Sequence, residues 1–210
     1  MLNDDVIEPS VSPYNSPVFL VPKKSQDDTK KWRLVVDFRD LNKKIPQDRF
    51  PLPRIEDILD SLGKAKFFST LDLQSGFHQI ALEKDSRKYT AFSTQKCHFQ
   101  YKRLPFGLNI SPNSFQRMMS IALSGLPPET AFLYIDDIIV LGNSETHHLH
   151  NLEKVFGKLR ERNLKLNPSK YNFFRTEVTF LGHKVTAEGI LLLCLRLNFI
   201  SINSFTLFTY

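Results

Sequence analysis

The sequence predicts an α+β domain, and three observations favour this class. Strand-length runs of β-branched, aromatic and aliphatic residues occur at 32–37, 66–71 and 132–141. Apolar residues recur at helical spacing over 55–62 and 145–162. The 210 residues, 41% of them hydrophobic, are enough to bury a substantial core as one domain. Strands surrounded by helices therefore imply an α+β architecture.

Prolines and glycines divide the first half of the chain. The proline-rich opening up to Pro22 and the segment 46–53 predict extended chain. Between them, the run from Trp32 to Asp37 predicts a strand, and a second strand is predicted at 66–71. A short amphipathic helix that ends at Gly63 is predicted by four apolar residues at helical spacing, Ile55, Ile58, Leu59 and Leu62.

The second half predicts a hairpin and two helices. The hairpin covers 89–92 and 98–101, and Ser111 with Pro112 predicts a helix start, because proline is favoured in the first turn. The last helix spans about 145–162. Its predicted inward stripe is Leu149, Leu152, Val155, Phe156 and Leu159. Its outward residues are expected to be Glu153, Lys154, Lys158, Arg160 and Glu161.

Two adjacent carboxylates, Asp136 and Asp137, stand inside the apolar run from Phe132 to Leu141. The run predicts two short buried strands that turn at the Asp pair. Like charges in a partly desolvated site shift their pKa values and stay partly protonated unless cations compensate them, and a divalent metal would do so. The alternative is a solvated turn without chemistry, because Asp is a common turn residue.

A third carboxylate, Asp72, follows the strand at 66–71 and precedes Gly76. Two-metal phosphoryl transfer takes acidic ligands from at least two chain segments and uses ions about 3.5–4 Å apart. Asp72 and the Asp pair supply such ligands at predicted strand ends. A helix cap or turn is the alternative for Asp72, because 74–76 could begin a helix. That alternative explains three carboxylates at strand ends poorly.

Ordered motifs run through most of the chain, at 6–10, 16–24, 32–42, 50–53, 66–78, 104–112, 132–141, 166–170 and 180–183. Together they resemble the reverse transcriptases of gypsy-class LTR retrotransposons, which are related to retroviral polymerases. The resemblance implies a truncated fragment of a Pol polyprotein with a right-hand polymerase fold that lacks the thumb. Residues 1–189 would form fingers and palm, with the fingers at about 1–65 and 78–105 interleaved with the palm.

The resemblance implies an RNA-directed DNA polymerase, in which a primer 3′-hydroxyl attacks the α-phosphate of a deoxynucleoside triphosphate on an RNA or DNA template. Asp72, Asp136 and Asp137 would be the catalytic carboxylates and would hold two Mg²⁺ ions, with Mn²⁺ as an alternative. Leu73 would be a further metal contact. Lys170 corresponds to the family region that carries a candidate general acid for the pyrophosphate leaving group.

The resemblance also implies triphosphate contacts on a basic hairpin whose tip is 25–30. Arg33 and one of Lys23 and Lys24 would bind the phosphates, since Arg grips phosphate bidentately and Lys acts as a point charge. A solvated charged hairpin is the alternative. Which of the two lysines takes this role stays open.

Aromatic residues are implied at the nucleotide sugar. The ring of Phe77 would clash with a ribose 2′-hydroxyl and so favour deoxynucleotides, although a simple core Phe is the alternative in a chain with 18 phenylalanines. Phe106 and Gly107 correspond to the segment that supports the templating pair and the sugar, while Gly107 could equally be a turn residue. The residues implied to position the primer are Tyr134, Leu181 and Gly182.

Composition favours a nucleic-acid partner and an intracellular, cytoplasmic or nuclear protein. The net charge of +6 and pI near 9.3 favour contact with a polyanion. The chain start predicts no secretory signal, and Cys97 and Cys194 are too far apart in sequence to suggest a disulfide framework or a metal pair. A solvated helix terminus is favoured over a zinc site for the cluster His147, His148 and His150.

The segment from Ile190 to Tyr210 is apolar, has one basic residue and no acidic one, and does not resemble the family. We expect it to lie outside the domain and not to span a membrane, because polar residues interrupt it. The other Pol domains, protease, RNase H and integrase, are not matched. Two alternatives therefore stand beside the polymerase: an inactive retroelement remnant, and a nucleic-acid-binding module whose carboxylates are only structural.

Overall fold

The computed structural model of the chain describes residues 1–22, 32–63 and 65–192, which form helices and antiparallel sheets. The predicted α+β class is confirmed. The strands are β1 (Ile7–Pro9), β2 (Val18–Pro22), β3 (Trp32–Val36), β4 (Phe67–Asp72), β5 (Phe92–Ser93), β6 (His98–Tyr101), β7 (Ala131–Tyr134), β8 (Asp137–Gly142), β9 (Asn172–Arg175), β10 (Glu177–Phe180), β11 (His183–Thr186) and β12 (Gly189–Leu192). The helices are α1 (Arg39–Asn42), α2 (Ile55–Leu62), α3 (Lys84–Arg87), α4 (Ser111–Ala122) and α5 (Glu145–Glu161).

A four-stranded antiparallel sheet in the order β7-β8-β4-β9 lies at the centre of the fold. Strand β8 is buried on both faces, because successive side chains point to opposite sides of a strand. Ile138 and Val140 pack with residues of α4 and α5 on one face. Ile139 and Leu141 pack with α2 and with β10 and β11 on the other. The sheet is therefore covered on both sides, which explains the apolar run around the Asp pair.

Helix α5 confirms the predicted helix and most of its inward stripe, since Leu152, Val155 and Leu159 are buried, but two neighbouring positions differ from the prediction. Its N-terminus is capped by Ser144, whose hydroxyl accepts a hydrogen bond from the His147 amide at 3.2 Å. Leu149 was predicted to be buried and is 52% exposed, while His148 is completely buried. The predictions for both residues were wrong, because His148 takes the core position against the central sheet.

A second group of sheets packs around its own core. It comprises the sheet β1-β6-β5 and the hairpin β2–β3. The buried residues Phe38, Phe92 and Leu104 are at the centre of this core. The hairpin predicted at 89–101 is confirmed, although its first strand starts only at Phe92, because residues 88–90 form a 3₁₀ turn. No helix in the described part of the chain is long and apolar enough to cross a membrane.

Strand β12 pairs with β11 across the predicted boundary at Gly189. Ile190 packs against the core on one face of the central sheet. The sheet therefore continues as far as Leu192, and the rest of the apolar segment lies outside the described residues. The division of the chain into 1–189 and a separate tail stays a prediction.

Candidate active site

The Asp pair lies at the turn between β7 and β8, as the sequence predicted. Ile135 in this turn has a φ of 54°, which is strained for a β-branched residue. The buried Gln116 of α4 stabilises the turn, since its Oε1 accepts a hydrogen bond from the Ile135 amide at 2.7 Å. Its Nε2 lies 3.5 Å from the carbonyl oxygen of Leu133. One buried amide side chain thus bonds the end of β7 and the turn residue that directly precedes the Asp pair.

Asp72 and Asp137 are direct partners across the paired strands β4 and β8. Burial raises the pKa of the Asp137 carboxyl, and the negative charges of Asp136 and Asp72 raise it further, while Lys170 opposes the shift. The site therefore concentrates negative charge that its own protein groups compensate only in part. This is the direction of shift that the sequence predicted for carboxylates in a partly desolvated site.

Two groups from the segment before β9 contact Asp72. The Lys170 ammonium forms an ion pair with Asp72 Oδ2 at 3.1 Å. The Asn167 amide donates to the Asp72 carbonyl oxygen at 2.9 Å, and its side-chain Nδ2 lies 3.5 Å from Oδ1. Lys170 is thus next to the carboxylates, where it provides a cation.

The donor atoms fit magnesium better than a softer metal, because carboxylate oxygens are hard ligands. Asp136 is exposed, and within residues 1–22, 32–63 and 65–192 no three Asp, Glu, His or Cys side chains are grouped closely enough to hold one ion. Leu73 is buried, so only its backbone could reach a metal. The charge and chemistry of the site fit Mg²⁺, but the three carboxylates do not lie close enough together to bind one ion jointly.

The predicted sugar-side residues form an aromatic group. The ring centroids of Phe77 and Phe106 are 4.8 Å apart, and Phe77 meets the buried Phe115 edge-on at 5.4 Å. Phe106 is 54% exposed, so this group has an open side. Gly107 has a φ of 94°, which a residue with a side chain rarely adopts.

An open cleft of about 240 Å³ joins several predicted site residues. It is lined by Asp72, Asp137, Lys170 and Leu181, among others. Leu181 and Gly182 form the turn between β10 and β11 with φ values of 48° and 78°. Tyr134 packs against the core below this turn and pairs with Asp137. The structure therefore brings the residues predicted for the primer close to the carboxylates.

Of the residues predicted to bind the triphosphate, only Arg33 belongs to the part of the chain that the structure describes. Arg33 lies exposed on β3, opposite Val21 of β2. Lys23 and Lys24 lie outside the described residues, so their assignment stays a prediction.

Comparison with known proteins decides the family. Residues 21–185 match the model of the family described as reverse transcriptase (RNA-dependent DNA polymerase). The chain belongs to the reverse transcriptase family. It is 63% identical over 193 residues to the retrovirus-related Pol polyprotein from transposon 412 of Drosophila melanogaster. The aligned region covers 91% of this chain and 16% of that protein.

Two further matches extend the comparison. The Pol polyprotein from transposon gypsy of Drosophila melanogaster is 41% identical over 191 residues, 90% of this chain and 18% of that protein. A foamy viral protease–reverse transcriptase, solved in complex with an RNA/DNA hybrid, superimposes with a TM-score of 0.82 at 34% identity, covering 91% of this chain and 25% of that one. The predicted gypsy-class relationship and polymerase fold are confirmed, and the chain spans less than a fifth of the length of these two transposon polyproteins.

Three polar residues of the candidate site were missed in the sequence analysis. Gln116 stabilises the carboxylate turn, and Asn167 bonds Asp72. Asn42 donates to the Gly107 carbonyl at 2.8 Å and accepts from the Asn109 amide at 2.9 Å, so it fixes the loop behind Phe106. Asn42 and Asn167 lie in the motifs at 32–42 and 166–170, and Gln116 lies beside the apolar residues Phe115 and Met119 of a predicted helix, so each had a signal in the sequence.

Proposed function

We propose that this chain is an RNA-directed DNA polymerase that adds deoxynucleotides to a primer 3′-hydroxyl by two-metal phosphoryl transfer. The observation that carries the proposal is the direct pairing of Asp72 with Asp137, beside Asp136, in a site where burial and then the neighbouring negative charges raise the pKa of Asp137. A purely structural turn gains nothing from three carboxylates, since their mutual repulsion costs stability. A site that binds cations gains affinity from them.

In this mechanism Asp72, Asp136 and Asp137 would hold two Mg²⁺ ions, or Mn²⁺, with the Leu73 backbone as a further contact. When bound, the ions would supply Lewis-acid stabilisation of the charge that develops on the phosphoryl oxygens. Lys170 holds a positive charge at Asp72 and is a candidate proton donor to the leaving group. Because phosphoryl transfer depends mostly on positioning and electrostatics, the fixed turn and paired strands are the protein's main contribution.

The proposed substrates are a primer on an RNA or DNA template and deoxynucleoside triphosphates. The net charge of +6 favours binding of nucleic acid, and the foamy viral relative was solved with an RNA/DNA hybrid. Leu181 and Gly182 would position the primer end, since their turn lines the cleft with the carboxylates. Base pairing would read the template, and protein contacts would be mainly to the backbone.

Extension of a DNA primer on an RNA template with Mg²⁺ or Mn²⁺ tests the proposal. We expect the wild-type chain to extend the primer and Asp136→Asn to abolish extension, because the substitution removes a charged ligand. Asp60→Asn is the matched control, since Asp60 is exposed on α2 and is not among the residues that line the cleft with Asp72 and Asp137. Lack of extension by a folded wild-type chain would indicate an inactive remnant. Nucleic-acid binding that ignores both magnesium and Asp136→Asn would instead indicate a binding module.

A second prediction concerns the choice of sugar. Phe77→Val should raise the relative use of ribonucleotides by about tenfold or more, because the smaller side chain leaves room for a 2′-hydroxyl. The measurement is the ratio of kcat/KM for a ribonucleotide and the matching deoxynucleotide. Phe99→Val is a control, since Phe99 packs against Phe92 in the sheet β1-β6-β5, whereas Phe77 packs against Phe106 and Phe115. An unchanged ratio in Phe77→Val would show that Phe77 only packs against Phe106 and Phe115.

A further inference from the structure

Ser69 and His148 form a completely buried hydrogen-bonded pair that none of the proposed catalytic steps uses. Ser69 lies in β4, three residues before Asp72, and its Oγ is 2.7 Å from Nε2 of His148 in α5. Both side chains are 0% exposed. A serine bonded to a histidine is also the arrangement of a nucleophile and its base, but no substrate could reach this one. The pair therefore has a role inside the fold.

The same Ser69 hydroxyl bonds the backbone of β9. It accepts the Phe174 amide at 3.1 Å, so its own proton is free to be donated to His148 Nε2. Burial lowers the pKa of His148, which favours the neutral ring that can accept this proton. The Phe174 ring in turn packs edge-on against His148, with centroids 4.9 Å apart.

Phe174 lies at an irregularity in the sheet. Phe68 pairs with Arg175 and Thr70 pairs with Asn172, so two steps along β4 correspond to three along β9. Such a bulge leaves an unpaired amide, and Phe174 has a φ of 53°. Ser69 satisfies the Phe174 amide at this point.

The bulge determines the register in which the residues before β9 lie against the end of β4. That chain carries Asn167 and Lys170, which bond the backbone and the carboxylate of Asp72. A slip of one residue at the bulge would move both contacts along the strand. We propose that the Ser69–His148 pair is a positioning device that fixes the bulge of β9 and thereby holds Asn167 and Lys170 at Asp72.

Site-resolved amide hydrogen exchange tests the positioning without any enzymatic activity. The reporter is the Asn167 amide, which bonds the Asp72 carbonyl and touches neither member of the pair. In Ser69→Ala and His148→Leu we expect its protection, normalised to the amides of β8, to fall by about tenfold. In His148→Gln we expect protection to be retained, because the Gln amide oxygen can accept the Ser69 proton.

Thr90→Val is the matched control. Thr90 is also buried, and its hydroxyl also accepts a backbone amide, that of Tyr101 at 2.9 Å, but it lies outside the central sheet. We expect no selective loss of Asn167 protection in this variant. Equal losses in Thr90→Val and Ser69→Ala, or no selective loss in Ser69→Ala and His148→Leu, would overturn the proposal. If Ser69→Ala does not fold, the contrast between His148→Leu and His148→Gln decides.

The catalytic consequence rests on the proposed polymerase function. With an active wild-type chain, Ser69→Ala should lower kcat for extension about tenfold or more while the KM for the nucleotide changes little, and His148→Gln should restore kcat. An inactive wild-type chain would contradict the polymerase function, and the exchange experiment would still decide the positioning. A normal kcat in a Ser69→Ala chain with lost Asn167 protection would overturn the link to catalysis.

Discussion

Replacing Asp137 with asparagine is expected to abolish primer extension and, at the same time, to raise the stability of the folded chain. Activity should fall by about 10³-fold or more, because the variant loses an anionic ligand of the Mg²⁺ ions that would stabilise the developing phosphoryl charge. Stability should rise by about 0.5–2 kcal/mol, the usual size of a stabilising substitution. A residue that supports the fold would show the opposite sign.

The sign of the stability change follows from the raised pKa of Asp137. A carboxyl whose pKa is higher in the folded chain than in the unfolded one opposes folding when it is ionised. That cost is present in full above the folded-state pKa, declines as the pH falls through it, and is gone below the unfolded-state pKa. The difference in melting temperature between wild type and Asp137→Asn should therefore shrink in acid.

Thermal unfolding with and without magnesium completes this test. Magnesium should stabilise the wild type more than Asp137→Asn, because only a ligand that binds the folded chain raises its melting temperature. Asp60→Asn should respond to magnesium like the wild type. A destabilised Asp137→Asn chain, or equal responses of wild type and Asp137→Asn to magnesium, would contradict the assignment of this carboxylate.

The second large effect is expected at Gly142, the last residue of β8. A Cβ at this position would overlap the Cβ of His148 and would lie 2.6 Å from its Cα and 2.9 Å from its backbone nitrogen. Two of these atoms are backbone atoms of α5, so no rotation of a side chain can relieve the overlap. Gly142→Ala should destabilise the chain by about 3 kcal/mol or more, which is a large part of the stability of a domain of this size.

Urea denaturation measures the effect, and Gly157→Ala is its matched control. A Cβ at Gly157, on α5 itself, would meet no atom within 4 Å. Alanine is favoured over glycine inside a helix, so this variant should gain up to about 1 kcal/mol. A Gly142→Ala chain as stable as the wild type would show that α5 can move away from the central sheet.

Local signals predicted much of the fold and part of the site. The helix at 55–62 and the Asp pair at a turn between strands depend on short-range spacing and composition, which the sequence displays directly. The buried face of α5 was mispredicted at Leu149, because the partner of His148 is Ser69, 79 residues earlier in the chain. The contact of Lys170 with Asp72 likewise joins residues 98 positions apart. Such pairings become visible only when the sheet is assembled.

Helix α4 carries two neighbouring residues that serve different parts of the site. Gln116 fastens the turn that bears the Asp pair, and Phe115 packs against Phe77 on the sugar side. A Cβ on Gly76 would lie 2.9 Å from the Phe115 ring, so the ring has little room to move at this point. A tilt of α4 would therefore disturb the proposed nucleotide selection and the proposed phosphoryl transfer together. Substitutions that change the selection of the nucleotide without changing the proposed rate of extension should therefore lie outside α4.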